Sequence, residues 1–213
     1  PRVRRQRQMC IRDRGKIMGY IKYAENKENK KTEESIKYED IYESPIGKIF
    51  ISCNETGLTE VSFVKEDILA DRKNTANAEN IESIKKNISI LTDTKRWLDI
   101  YFSGKEPGFV PSFHVSGTPF QLGVWKILQK IPYAKTVTYG EIAKEIAKEK
   151  GISRMSAQAV GGAVGSNKIG IIIPCHRVVG ANGNLTGYAG GIYNKEALLR
   201  LEGVDMSGMY IQQ

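Results

Sequence analysis

The chain contains few cysteines and histidines and no long apolar run, and these absences exclude several classes of protein. Three cysteines, Cys10, Cys53 and Cys175, occur in 213 residues. They are too few for a disulfide framework and favour a reducing compartment. No segment approaches the roughly 18 apolar residues that cross a bilayer, and the basic, polar start lacks the apolar stretch of a signal peptide. We therefore expect a cytoplasmic protein that does not contact membranes.

The net charge of +8 is unevenly distributed along the chain. Residues 1–34 and 114–213 have an excess of basic side chains, whereas residues 35–113 have a small excess of acidic ones. A basic half beside an acidic half suits a polyanionic partner on one side of the molecule. A basic surface that is merely solvated is the alternative at this point.

Residues 1–35 are predicted to be a disordered or artefactual extension, because they are rich in Arg, Lys, Gln, Asn and Glu and offer little to bury. The chain begins at Pro1, and residues 9–13 read as the translation of a common sequencing-adapter end. We therefore expect the native start at Met18 or later. A basic arm that touches DNA is the alternative.

The first half of the remaining chain has the pattern of a small α+β unit. Polar and apolar side chains alternate in segments separated by turn residues. Strands are expected at residues 38–42, 48–52 and 58–64. Apolar residues then follow helical spacing over residues 79–102. They are Ile81, Ile84, Ile88, Trp97, Leu98 and Tyr101.

The second half predicts three helices. Thr118 before Pro119 is typical of a helix start, and this helix is expected to end at Ile131. Further helices are predicted over residues 139–150 and 153–165, joined by a turn at Gly151. Two short helices with a glycine turn between them suggest a helix-turn-helix.

The third of these helices is unusual because its side chains have almost no bulk. Glycine costs a helix about 1 kcal/mol per residue, so its repeated use needs a compensating reason. Two explanations are open: tight packing on a neighbouring helix, or close approach of the backbone to a ligand. The small residues are Ala157, Ala159, Gly161, Gly162, Ala163 and Gly165.

Cys175 follows an apolar run, Ile169 and 171–173, that predicts a strand stopped by Pro174. His176 comes directly after the cysteine. The thiolate is the nucleophilic form of cysteine and needs a proton acceptor to form, so the pair is a candidate nucleophile and base. A buried, inert cysteine at a strand end is the alternative.

Cys175 belongs to a series of motifs that resembles the 6-O-alkylguanine-DNA alkyltransferases, also called methylated-DNA–protein-cysteine methyltransferases. The resemblance is dense over residues 118–203, weaker over 38–63 and absent before about 36. The series comprises TPFQLGVW (118–125), IPY (131–133), TYGEIA (138–143), QAVGGA (158–163), Asn167, PCHRV (174–178), GYAGG (187–191) and LLRLEG (198–203).

The resemblance implies a division of the chain and a fold class. The class is α+β, with a three-stranded sheet and helix in a small N-terminal domain. A mostly helical C-terminal domain would hold the helix-turn-helix and the active-site Cys loop. The expected ranges are an extension at 1–35, domains at 36–112 and 113–205, and a tail at 206–213.

The resemblance also assigns roles in catalysis. Cys175 would be the nucleophile, His176 its base through a water molecule, and Glu202 the group that orients the imidazole. Asn167 would hold the active-site turn against the recognition helix, which is the small-residue helix predicted over residues 153–165. Tyr139 would help to rotate the nucleotide and donate a proton to the departing guanine.

Substrate and DNA contacts follow by the same resemblance. Val178, Tyr188 and Ala189 would bind the guanine, and the small-residue helix would enter the minor groove. Its DNA-binding residues would be Ala157, Gln158, Ala159, Gly161 and Gly162. The family has an arginine at the position of Gln158, where it replaces the extruded nucleotide. Because glutamine lacks the charge and the planar guanidinium, we expect weaker or slower extrusion.

The implied reaction is direct, irreversible repair of duplex DNA in the minor groove by a monomer that acts once. The alkyl group on oxygen 6 of guanine, and more weakly on oxygen 4 of thymine, would move to Cys175 after base flipping. No cofactor is expected. The alternatives are a DNA-damage sensor without catalysis, an alkylation-dependent regulator and a thiol hydrolase.

A structural metal site is also considered, because some family members hold zinc in the N-terminal domain. Cys53 and His114 lie at plausible ligand positions, but Thr59 lies near where a histidine would be, and Cys10 is in the doubtful extension. Structural zinc needs four ligands, so we predict none.

Overall fold

The computed structural model describes residues 38–64 and 81–211. The expected extension at residues 1–35 therefore lies outside the described residues, as does Cys10. None of the helices within the described ranges is long and apolar enough to cross a membrane.

The first half forms an antiparallel sheet in the order β1-β2-β3. The strands are β1 (Tyr38–Ser44), β2 (Gly47–Asn54) and β3 (Gly57–Phe63). Gly47 and Gly57 have φ of 129° and 145° at the two tight turns, values that favour glycine. The three strands expected from the alternation of side chains are confirmed.

Helix α1 (Ile81–Phe102) packs across this sheet. Its buried side chains recur at three- and four-residue intervals, as expected for one face of a helix. They are Asn87, Ile90, Thr94, Trp97, Leu98 and Tyr101. Ile88, which belonged to the predicted apolar spacing, is 54% exposed, because the buried face passes through Asn87 instead.

The second half contains α2 (Pro119–Leu128), α3 (Tyr139–Glu149) and α4 (Ala157–Gly165). Thr118 and Thr138 each form a capping box, with Gln121 and Glu141 respectively, and these reciprocal bonds fix the two helix starts. The predicted ends are less accurate. Helix α2 ends three residues before Ile131, and α4 begins after its Ser156 cap rather than at residue 153.

Helix α4 packs on both α2 and α3. The connection from α3 spans residues 150–156 and includes Gly151 at φ 63°. Val160, Ala163 and Val164 face the neighbouring helices and are buried. The opposite face of α4 is therefore exposed.

Short strands and one more helix complete the second half. Parallel pairs form between β4 (Val137–Thr138) and β5 (Val178–Val179), and between β6 (Asn184–Leu185) and β7 (Tyr210–Ile211). Helix α5 (Ile192–Leu201) ends directly before Glu202. The α+β fold class is confirmed.

The edge of β3 that does not pair with β2 joins the two halves of the chain through backbone hydrogen bonds. Leu58 N donates to Ser112 O at 2.9 Å, and His114 N donates to Leu58 O at 2.8 Å. Further along, Val61 N donates to Lys168 O at 2.8 Å and Gly170 N to Val61 O at 2.7 Å. The sheet is thus tied to the segment that leads to Cys175.

Candidate active site

The apolar run before Cys175 does not form the predicted strand, and that prediction is wrong. Ile169 makes a single bridge to Val61, and the chain then folds on itself. Ile173 N donates to Ile169 O at 2.9 Å, and Ile171 has a φ of 66°, a strained value for a β-branched residue. The run is buried, and within the described part of the chain its residues after Ile169 make turns and pair with no strand.

Pro174 then directs the chain into the site. Its φ of −79° and ψ of 63°, with Cys175 N donating to Ile173 O at 2.7 Å, make an inverse γ-turn. A single 3-10 turn, Cys175–Arg177, follows. It places the thiol of Cys175 inside the protein, where the residue is 7% exposed.

Asn167 holds this turn from the end of α4. Its Nδ2 lies 3.0 Å from Ile173 O, 3.3 Å from Ile169 O and 3.2 Å from the sulfur of Cys175. Its Oδ1 accepts from Ile169 N at 3.0 Å. One buried amide therefore contacts both the backbone of the turn and the candidate nucleophile.

His176 and Glu202 are hydrogen-bonded, as the candidate triad requires. His176 Nε2 lies 2.7 Å from Glu202 Oε1, and both side chains are fully buried. Arg177 donates to both carboxylate oxygens, at 2.9 and 3.0 Å, and Ala134 N donates to Oε2 at 3.1 Å. The carboxylate is thus held by donors on every side.

The protonation states follow from burial and these contacts. Burial acts to raise the pKa of Glu202, but the hydrogen bonds and charges of His176 and Arg177 lower it to about 2. Burial lowers the pKa of His176, and Glu202 offsets this in part. Near neutral pH, His176 is then a neutral imidazole whose Nε2–H donates to Glu202, so Nδ1 has its lone pair free. It becomes charged only in acid, where its charge acts on Glu202. Within residues 38–64 and 81–211, no group hydrogen-bonds to Nδ1.

The thiol of Cys175 is protonated in the free protein, because burial raises its pKa. The Asn167 hydrogen bond and the charge of Lys195 act in the opposite direction. Lys195 is fully buried, and its Nζ donates to Thr186 O at 2.6 Å. Burial lowers the pKa of this lysine to about 8.

A cleft of about 730 Å³ lies between α4 and the glycine-rich loop at residues 187–191. Tyr139 spans it, since its hydroxyl lies 3.3 Å from the carbonyl oxygens of both Thr186 and Gly187. The lining residues are Thr138, Tyr139, Gly140, Ala157, Gly161, Gly165, Ala181, Thr186, Gly187, Tyr188 and Ala189. Of the predicted site residues, Tyr139, Ala157, Gly161, Tyr188 and Ala189 therefore meet at one cleft.

Other predicted residues do not line the cleft. Cys175 is buried, and Val178 is fully buried in β5. Gln158, Ala159 and Gly162 are exposed on the outer face of α4.

Three residues of the site were missed by the sequence analysis as partners of the predicted groups. Tyr101 O–H donates to Glu202 Oε1 at 2.7 Å, Arg177 pairs with the same carboxylate, and Lys195 is buried near Cys175. Arg177 is buried and also donates to Ile131 O at 2.7 Å. A basic residue four places after a glycine pair was the one available signal for Lys195, whereas Tyr101 looked like any core aromatic.

The polar residues considered for zinc make other contacts. Cys53 Sγ lies 3.7 Å from Asn87 O, and Thr59 Oγ1 lies 3.3 Å from Ser52 Oγ. Among the described residues, no cluster of three or more His, Cys, Asp or Glu side chains is placed to hold a metal ion.

Comparison with known proteins gives matches to both halves of the chain. Residues 37–109 match the profile "6-O-methylguanine DNA methyltransferase, ribonuclease-like domain", and residues 119–204 match "6-O-methylguanine DNA methyltransferase, DNA binding domain". A Methanosarcina acetivorans protein named methylated-DNA–protein-cysteine methyltransferase is 44% identical over 166 residues, which cover 78% of this chain and 98% of the relative.

Solved structures from Mycobacterium tuberculosis are similar to this fold. A variant of its O6-methylguanine methyltransferase aligns with a TM-score of 0.60 and 37% identity, over 78% of this chain and 92% of the other. The OGT protein of the same organism in complex with DNA aligns with a TM-score of 0.58 and 38% identity, over 79% and 92% of the two chains.

Proposed function

The chain belongs to the 6-O-methylguanine DNA methyltransferase family, and we propose that it repairs DNA by accepting the alkyl group on the sulfur of Cys175. It is a methylated-DNA–protein-cysteine S-methyltransferase that binds DNA. The observation that carries the assignment of Cys175 is the hydrogen bond that Asn167 donates to its sulfur. The next residue, His176, is bonded to Glu202, and burial lowers its pKa.

The reaction is a single displacement. The sulfur of Cys175 attacks the alkyl carbon on oxygen 6 of guanine, so a sulfur–carbon bond forms as the carbon–oxygen bond breaks. The thiol proton passes through a water to His176 Nδ1, and Glu202 stabilises the imidazolium that results. Tyr139 donates the proton that the departing guanine needs. The thioether is stable, so each molecule acts once and needs no cofactor.

Access to a base within duplex DNA requires base flipping. Helix α4 would enter the minor groove with Ala157, Gln158, Ala159, Gly161 and Gly162, because its outer face is exposed and has little bulk. Gln158 would fill the space that the flipped nucleotide leaves.

The flipped guanine would occupy the cleft between Tyr139 and the glycine-rich loop. Tyr188 and the backbone of Ala189 would contact it, and carbonyl groups near Val178 would accept from its amino group. Entry requires that Tyr139 release the carbonyls of Thr186 and Gly187. Oxygen 4 of alkylated thymine would be a weaker substrate of the same cleft. The protein would act as a monomer, in a reducing compartment such as the cytoplasm, because a reactive thiol must stay reduced.

The decisive experiment is intact-protein mass spectrometry after incubation with a duplex oligonucleotide that contains one 6-O-methylguanine. We expect a gain of one methyl group per molecule, and no further gain with excess DNA. Cys175→Ala should abolish the gain, whereas Cys53→Ala, which removes another buried thiol, should retain it. DNA binding without a mass gain would support a damage sensor instead, and a gain that survives Cys175→Ala would refute the assignment.

A further inference from the structure

Tyr101 brings a side chain of the N-terminal half into the hydrogen-bonded group around His176. It lies on α1, it is fully buried, and its hydroxyl donates to Glu202 Oε1 at 2.7 Å. The same oxygen accepts from His176 Nε2, also at 2.7 Å. The hydroxyl oxygen lies 3.3 Å from Nε2, so the three groups converge on one point.

We propose that Tyr101 is a positioning residue for alkyl transfer, whose hydroxyl holds the Glu202 carboxylate and sets the basicity of His176. This inference rests on the proposed function, in which His176 accepts the thiol proton. It assigns the N-terminal half a direct part in the chemistry, since α1 supplies a donor to the carboxylate that orients the base.

The aromatic surroundings fix the direction of the hydroxyl. The Tyr101 ring stacks on Trp97 with centroids 5.3 Å apart and planes within 8°. The edges of Phe102 and Tyr133 pack against it at 5.4 and 6.2 Å. Because the ring cannot turn away, the hydroxyl points at Glu202 before substrate binds. Burial and the charge of Glu202 raise the pKa of Tyr101 well above its usual value, so the hydroxyl remains a donor.

The donors around Glu202 divide its two oxygens. Oε2 accepts from Arg177 Nε and Ala134 N, whereas Oε1 accepts from His176, Tyr101 and Arg177. Arg177 and Ala134 fix the carboxylate in place. Tyr101 competes with His176 for the charge on Oε1, so its hydroxyl limits how strongly that oxygen holds the imidazole proton.

Loss of the hydroxyl therefore has a defined direction. Oε1 becomes a stronger acceptor for His176 Nε2–H, and the pKa of His176 rises. Since the base must be neutral to accept a proton, the acidic limb of the rate–pH profile moves to higher pH. Other charged or titratable groups also face His176, and Tyr101→Phe leaves their side chains in place: Arg177, Tyr188, Lys195 and Glu202.

The test is Tyr101→Phe, which keeps the ring and removes the hydroxyl. The chain has two histidines, so NMR titration of the free protein can resolve the signal of His176. We expect the pKa of His176 to rise by about half to one unit, the scale of one hydrogen bond. The acidic limb of single-turnover methyl transfer should shift by the same amount. No shift, or a downward one, would overturn the proposal.

Matched variants separate this role from packing. Tyr42→Phe removes another tyrosine–carboxylate bond of α1, to Asp99 at 2.8 Å, and should leave both profiles unchanged. In a Glu202→Gln background, Tyr101→Phe should no longer alter the pKa of His176, because the hydroxyl acts through the carboxylate. A full shift in that background would contradict the mechanism.

A second measurement does not depend on the stability of Tyr101→Phe. Site-specific 3-fluorotyrosine in place of Tyr101 makes the hydroxyl a stronger donor and should lower the pKa of His176. An unchanged value would count against the proposal. Wild-type protein that fails to transfer methyl groups would instead refute the proposed function, since the titration of the free protein does not need DNA.

Discussion

Among single side chains, Asn167 links the end of α4 to the reactive turn. Replacing it by alanine leaves the buried Ile169 N without its acceptor, removes one of the two donors to Ile173 O and removes the donor to the sulfur of Cys175. Buried polar groups that lose a partner cost about 1–3 kcal/mol. For Asn167→Ala we expect a loss of this size in the free energy of unfolding, measured by urea denaturation.

The same substitution should slow methyl transfer more than stability explains. Without the amide, burial raises the pKa of Cys175 with less opposition, so the thiolate forms less readily. Asn167→Asp keeps the shape but places an acceptor at the sulfur, and it should also react slowly with iodoacetamide. Asn54→Ala, at a turn of the distant sheet, serves as the control and should react as wild type. Equal reactivity of Asn167→Asp and wild type would contradict this role.

Gln158 is the departure from the family pattern that can be tested directly. It is exposed on the outer face of α4, so Gln158→Arg adds a charge without disturbing the core. We expect tighter binding to duplex DNA, faster methyl transfer, and a salt dependence steeper by about one phosphate contact. Thr92→Arg adds the same charge at an exposed position of α1 and should have a smaller effect on DNA binding and methyl transfer. No gain from Gln158→Arg would show that glutamine suffices there.

At the level of the helices, the glycines of α4 favour one of the two explanations that the sequence left open. A Cβ atom on Gly162 would meet nothing within 4 Å, and one on Gly161 would make an ordinary 3.9 Å contact with Tyr139. Packing inside the protein therefore does not require glycine at either position. Glycine destabilises a helix by about 1 kcal/mol relative to alanine. Since packing does not explain it here, the glycines favour close approach of the α4 backbone to a ligand.

Gly162→Ala should consequently stabilise the free protein and weaken DNA binding. We expect the free energy of unfolding to rise by about 0.5–1 kcal/mol and the dissociation constant for duplex DNA to increase several-fold. Gly123→Ala in α2, where the nearest atom would be 3.7 Å away, should stabilise the protein without changing DNA affinity. Denaturation and fluorescence anisotropy measure the two effects. Unchanged DNA affinity in Gly162→Ala would mean that close approach to DNA does not require glycine at this position either.

The elements that sequence reasoning placed correctly are those fixed by local chemistry. Capping boxes begin α2 and α3, and tight turns separate the three strands, so their boundaries follow from nearby residues. The run of isoleucines before Cys175 was misread because a short buried apolar segment has the same composition in a strand and in a turn. The bond from Asn167, and not the pattern of the run itself, selects the turn.

In the molecule as a whole, the two halves meet around the site. This contact could not be predicted from the sequence. Tyr101 and Glu202 are far apart in sequence, and neither has a local signal that indicates the other. The motif series predicted one site containing Cys175, His176, Asn167 and Glu202, and in the structure Asn167 contacts Cys175 and His176 contacts Glu202. It did not indicate that α1 contacts the same carboxylate, because long-range packing decides that contact.

The buried group around Glu202 should also determine stability in acid. The pKa of Glu202 is about 2 in the folded protein, whereas a glutamate in an unfolded chain has a pKa of about 4.3. A lowered carboxyl pKa contributes stability above the unfolded value, and this is lost as pH falls from about 4.3 to about 2. The loss amounts to about 3 kcal/mol. Burial lowers the pKa of His176 in the folded protein. Stability is therefore also lost as pH falls below the pKa that His176 has in the unfolded chain.

Glu202→Gln should be less stable than wild type near neutral pH but should lack the component between pH 4.3 and 2. We therefore expect a flatter decline of the free energy of unfolding over that window, measured by urea denaturation at successive pH values. Glu196→Gln, whose ion pair with Arg200 is at the surface, should follow the wild-type curve, because such pairs contribute little. Parallel slopes for Glu202→Gln and wild type would mean that acid acts elsewhere in the fold, and that the five donors around this carboxylate orient His176 without governing stability.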